Sequence, residues 1–138
     1  MVVRDPAAGP WHFVLGTDGA RARVIEVPGG GARSPRGAEP WVEHANADGN
    51  VRHPGDLHMD GAEVFNFSLR EVPAAIAEVM ALARWSEPDV DALVLHQANR
   101  FVLSAVGRKG GFPAAKTPMD LGERFGNQSS ASIPCAVV

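Results

Sequence analysis

The 138-residue chain has one cysteine, Cys135, which excludes an internal disulfide and fits a reducing compartment. It has no uninterrupted apolar run long enough to span a bilayer, and Met1-Val2-Val3-Arg4-Asp5-Pro6 lacks the apolar core of a signal peptide. A cytoplasmic protein without membrane association is the expectation. It also lacks a basic excess: thirteen Lys and Arg against sixteen Asp and Glu leave a formal charge of −3. The cations are scattered, which argues against nucleic-acid binding. Gly29-Gly30-Gly31 lacks the Lys-Ser/Thr ending of a phosphate loop and reads as a flexible turn. His44, His53 and His58 alternate with Asp48, Asp56 and Asp60, but the spacing fits neither a helical His-x-x-x-His pair nor a zinc finger, so no metal site is assigned.

What is present fits one ordinary α/β domain. Residues 1–10 read as a loose Pro/Gly/Ala lead-in and 11–138 as a partial domain, divided into a hairpin and long loop over 11–60 and strand-helix repeats over 61–138. Trp11–Leu15 and Ala22–Val27 suggest the hairpin. The polar stretch 32–60 has the length of a functional cover.

Glu63–Ser68 alternates aromatic residues like a strand, and Ser68 with Glu71 has capping-box spacing for a helix whose Val72, Ile76, Val79 and Ala83 face inward. Asp91–Leu95 reads as a doubly buried strand, followed by a helix over Asn99–Lys109 with Phe101, Val102, Ala105 and Val106 inward. Lys116–Leu121 is a weaker strand interrupted by Pro118, and Ser129–Ile133 starts a small-residue helix. This alternation predicts a mostly parallel sheet with helices on its faces, incomplete at the C-terminus. Trp11, Trp41 and Trp85 read as packing residues.

Two polar stretches stand at successive strand ends, where loops of an open α/β sheet converge. One is Leu95-His96-Gln97-Ala98-Asn99-Arg100 and the other Phe125-Gly126-Asn127-Gln128-Ser129-Ser130. An imidazole N–H and a side-chain amide N–H converging there donate to one oxygen, which stabilises an enolate. Asn127 and Asn99 also suit turn and cap chemistry.

His96-Gln97-Ala98-Asn99-Arg100 and Gly126-Asn127-Gln128-Ser129-Ser130-Ala131-Ser132-Ile133-Pro134 resemble the paired His-Gln-Ala-Asn and Gly-Asn-Thr-Ser-x-Ala-Ser-Ile-Pro signatures of β-ketoacyl-acyl carrier protein synthase III. Met59-Asp60-Gly61-Ala62-Glu63-Val64-Phe65 is similar to that family's entry to its C-terminal half. The resemblance implies a thiolase-like fold and a decarboxylative condensation of an acyl-coenzyme A primer with malonyl-acyl carrier protein in fatty acid biosynthesis. No cofactor is implied beyond these substrates.

By the same resemblance His96 and Asn127 are the catalytic pair holding the malonyl thioester oxygen. Asn99, Arg100, Arg108 and Lys109 are candidates for contact with the carrier protein or coenzyme A. The nucleophilic cysteine belongs to a first half not present here, and Cys135, placed in a packed helix, does not replace it. The chain alone is therefore expected to be inactive, with that other half or a second copy of itself as partner. Phe101 and Gln128, which depart from the family pattern, favour a related acyltransferase of polyketide or secondary metabolism as the alternative. A non-catalytic partner subunit is a third reading.

Overall fold

The computed structural model describes residues 9–35 and 41–137. The lead-in expected over 1–10 lies outside them up to residue 8, as does part of the 32–60 loop. Two compact units form, one of residues 17–66 and the other of the remaining described chain.

In the first unit, β1 (Ile25–Glu26) pairs antiparallel with β4 (His58–Met59), and β2 (His44–Ala45) with β3 (Val51–Arg52). The β2–β3 turn is made by Asn46, whose Oδ1 accepts from the backbone N–H groups of Asp48 and Asn50 at 3.0 and 2.9 Å. Gly49 takes the positive φ of 79° that this turn requires. Trp41 is held between two glycines. A Cβ on Gly29 would lie 2.8 Å from its Cζ2, and one on Gly55 2.9 Å from its Cζ3. The His53 ring packs on the indole with centroids 5.2 Å apart, and its Nδ1 accepts from Gly55 N–H.

Several expectations fail here. No hairpin joins 11–15 to 22–27: the first segment is not a strand, residues 19–24 form a 3-10 helix, and β1 instead pairs with a strand over thirty residues later. The 32–60 stretch, expected as an irregular polar loop, contains β2, β3 and β4.

Helix α1 runs Gly61–Ala83, so the strand expected at 63–68 is helix. Asp60 explains why: its Oδ1 accepts from the N–H groups of Ala62 and Glu63 at 3.1 and 3.0 Å, capping a helix that starts before the aromatic alternation. The expected inward face holds, with Ile76 buried and Val72, Val79 and Ala83 half-buried. Arg84 ends the helix at φ 58°, with Trp85 N–H bonded to Met80 C=O and Arg84 N–H to Ala81 C=O, a Schellman closure usually given to glycine.

In the second unit, α2 (Arg100–Lys109) buries Leu103, Val106 and Gly107. Phe101, expected inward, is exposed, and Leu103 takes its place; the apolar face is rotated from the one the sequence suggests. Gly107 and Gly110 let the helix backbone meet Thr117 and Ile76, and Phe112 completes the small core of Ile76, Leu103 and Val106.

The segments expected as parallel strands, 91–95 and 116–121, are not paired as a ladder. Leu93 N–H bonds Lys116 C=O at 2.8 Å, and the Gln97 amide joins Leu95 C=O to Pro118 C=O, so the segments run side by side in the same direction. Pro118 has no N–H to contribute, and residues 114–116 form a 3-10 turn. Helix α3 (Leu121–Phe125) follows, then a 3-10 turn over Ser129–Ala131 and helix α4 (Ser132–Val137). Trp11 and Trp85 are exposed rather than packed. Among the described residues no helix is long and apolar enough to cross a membrane.

Two outcomes follow. Gly29→Ala forces its Cβ against Trp41 and Pro54 C=O, and is expected to lower unfolding free energy by about 1–3 kcal/mol in urea titration; an unchanged midpoint would refute this packing. Ser86 donates both its Oγ–H and N–H to Asp89, first the side chain and then the backbone holding that carboxyl below its ordinary value. A depressed folded-state value stabilises above the unfolded pKa and is lost as pH falls through the folded one. Ser86→Ala is expected to move the Asp89 NMR titration upward.

Candidate functional site

His96 lies at the end of the extended segment 91–95, and Asn127 follows Gly126, whose φ of 72° turns the chain out of α3. Both side chains are exposed, and both are tied to the same short turn. His96 Nδ1 lies 2.7 Å from Ser132 Oγ, and Ser132 Oγ donates to Ser129 C=O at 2.8 Å. Ser129 N–H in turn donates to Asn127 Oδ1 at 2.8 Å.

A continuous polar chain therefore runs from the imidazole through Ser132 and Ser129 to the Asn127 amide. The oxygen of that amide accepts the Ser129 hydrogen, which leaves its NH₂ as the donor end of an exposed side chain. Ser129 holds a left-handed φ of 52°, a conformation costly for a non-glycine residue and found where surroundings over-determine the backbone. Here the Asn127 bond at its N–H and the Ser132 bond at its C=O do so.

The support under this turn is Gln97, which is fully buried. Its N–H donates to Ser132 Oγ at 3.2 Å, and its Nε2 donates to Leu95 C=O and Pro118 C=O, both at 3.0 Å. Sequence reasoning passes over Gln97 and Ser132, although both sit inside the quoted motifs. A polar residue at the end of an apolar run, followed by a small residue deep in a Ser/Ala helix, was the available signal.

The other candidates are placed elsewhere. Asn99 caps α2, its Oδ1 accepting from Val102 N–H at 2.9 Å, and Arg100 pairs with Glu123 at 3.0 Å on the surface. Arg108 and Lys109 are exposed in the last turn of the same helix, about 12–15 Å of helix rise away, so the four do not form one cluster. Cys135, expected in a packed helix, is exposed.

Gln97→Ala removes the donor shared by two carbonyls and leaves a cavity. It is expected to destabilise the chain by about 2–4 kcal/mol in chemical denaturation; a loss within experimental error would show that the bridge does not hold these segments.

Residues 80–138 match the family described as 3-oxoacyl-[acyl-carrier-protein (ACP)] synthase III C terminal. The chain is 34% identical over 125 residues to a β-ketoacyl-[acyl-carrier-protein] synthase III of Desulfitobacterium hafniense, covering 91% of this chain and 35% of that protein. It thus spans about a third of the length of such curated relatives. A crystal structure of 3-oxoacyl-(acyl-carrier-protein) synthase III superposes with a TM-score of 0.82 at 46% identity, over 93% of this chain and 37% of that one. The 3-oxoacyl-(acyl-carrier protein) synthase of Burkholderia xenovorans LB400 superposes at 0.73 with 38% identity, over 88% of this chain and 33% of that one. The thiolase-like α/β fold and the two paired motifs agree with these likenesses, and residues 80–138 match the C-terminal model of the 3-oxoacyl-[acyl-carrier-protein] synthase III family.

Proposed function

We propose that this chain contributes part of the active site of a 3-oxoacyl-acyl carrier protein synthase, with His96 and Asn127 stabilising the enolate formed from malonyl-acyl carrier protein. The observation that carries this reading is the hydrogen-bonded chain Asn127–Ser129–Ser132–His96, which commits the inner atom of each side chain and leaves His96 Nε2 and the Asn127 NH₂ as the outward ends.

In the proposed step the malonyl C–CO₂ bond breaks, carbon dioxide leaves, and the electron pair moves onto the thioester oxygen. Charge developing on that oxygen is met by groups held in place in advance, the Asn127 NH₂ and His96 Nε2, so little reorganisation of the site is needed during reaction. The enolate carbon then attacks an acyl thioester on a cysteine, displacing the thiolate and forming the new carbon–carbon bond. That cysteine belongs to a segment other than this chain. An acyl-coenzyme A primer and an acyl carrier protein are the proposed partners, and Arg108 and Lys109, exposed at the end of α2, form a basic edge suited to an acidic carrier.

Joined to the cysteine-bearing half of a relative, the chain is expected to release carbon dioxide from malonyl-acyl carrier protein. His96→Ala or Asn127→Ala is expected to slow that release by about 10²–10³-fold, the usual loss for one such donor. Decarboxylation unchanged in His96→Ala would overturn the assignment. The chain by itself is expected to form no acyl-enzyme, checked by intact mass after incubation with an acyl-coenzyme A; stoichiometric acylation of Cys135 would contradict this.

A further inference from the structure

We infer that Ser132 is a positioning residue that holds the neutral His96 imidazole with its proton on Nδ1, so that Nε2 carries the lone pair and is the working nitrogen. The functional weight of this inference rests on the enolate-stabilising reading above, but the assignment of the proton does not.

The argument is a proton count at one oxygen. Ser132 Oγ has one hydrogen to give and two lone pairs to receive with. It lies 2.8 Å from Ser129 C=O, which has no hydrogen to offer, so the hydroxyl hydrogen occupies that contact. Backbone Gln97 N–H, at 3.2 Å, takes one lone pair. The remaining contact, 2.7 Å to His96 Nδ1, therefore needs its hydrogen from the imidazole. The reverse arrangement would set the Ser132 and Ser129 oxygens lone pair to lone pair at 2.8 Å, with Ser132 itself fully buried.

Neutral His96 thus presents an acceptor, not an N–H, at its exposed end. In the proposed reaction it meets the enolate oxygen as the imidazolium, with the added proton on Nε2, while the Asn127 NH₂ donates uncharged. A hydroxyl at position 132 so decides which nitrogen faces the reacting oxygen without touching it. This is the same logic by which the partner of one ring nitrogen sets the role of the other.

The test is long-range ¹H–¹⁵N NMR on this chain with ¹⁵N-labelled histidine, at a pH where His96 is neutral. The expected spectrum has a protonated-type shift at Nδ1 and a lone-pair-type shift at Nε2. Ser132→Ala is expected to move His96 toward the Nε2–H form that free histidine favours. An Nε2–H tautomer in the unmodified chain would overturn the inference, and that measurement stands even if the variant does not fold. A folded Ser132→Ala variant that keeps the proton on Nδ1 would overturn it as well. Both readouts are independent of turnover: unchanged decarboxylation in His96→Ala would remove the catalytic reading and leave this tautomer assignment intact.

Discussion

The Ser132 hydroxyl is the point on which the second unit's polar architecture depends. It is wholly enclosed and saturates its hydrogen-bonding capacity with three partners from three places: an imidazole, the peptide following it, and a carbonyl one turn back in its own segment. A buried hydroxyl stripped of such partners costs free energy that a small core repays with difficulty. Among the described residues the buried apolar side chains, Ile76, Leu103, Val106 and Phe112, are few, so this polar anchorage and the Gln97 bridge carry much of the burden of fixing where the extended segments lie.

The first unit solves a different problem by other means. Its strands are two residues each and cannot hold themselves together by ladder alone. Order comes from side-chain-to-backbone bonds, at Asn46 and at His53 with Asp56, and from an indole clamped between glycine backbones. Substituting hydrogen-bonded turns for sheet is what makes a stretch so rich in Gly, Asp and Asn resemble a loop.

The sequence makes the α2 helix and its cap legible, because Asn99, Arg108-Lys109 and Gly110-Gly111 mark both ends by local chemistry. The inward face of α1 is legible for the same reason: a period of 3.6 survives even though its first turns do not look helical. The aromatic alternation at 63–67 misleads because the Asp60 cap, outside that window, decides the conformation. The Ile25–Met59 pairing is non-local, and nothing in either short segment announces its partner. At the candidate site, the motifs single out His96 and Asn127, but their common frame cannot be read from them. It depends on Ser129 and Ser132, whose side chains look like ordinary small packing residues until the backbone places them.

Because His96 and Asn127 hang from one turn, their geometries are not separately adjustable. A register slip of one residue at the start of α4 would swing Ser132 by about 100° around the helix axis and withdraw it from the imidazole. The accompanying shift at Ser129 would release the Asn127 amide in the same movement. The pair is therefore one mechanical part: drift at either serine is felt at both side chains, and a sequence that keeps the histidine and asparagine while loosening the turn between them keeps the residues and loses their alignment.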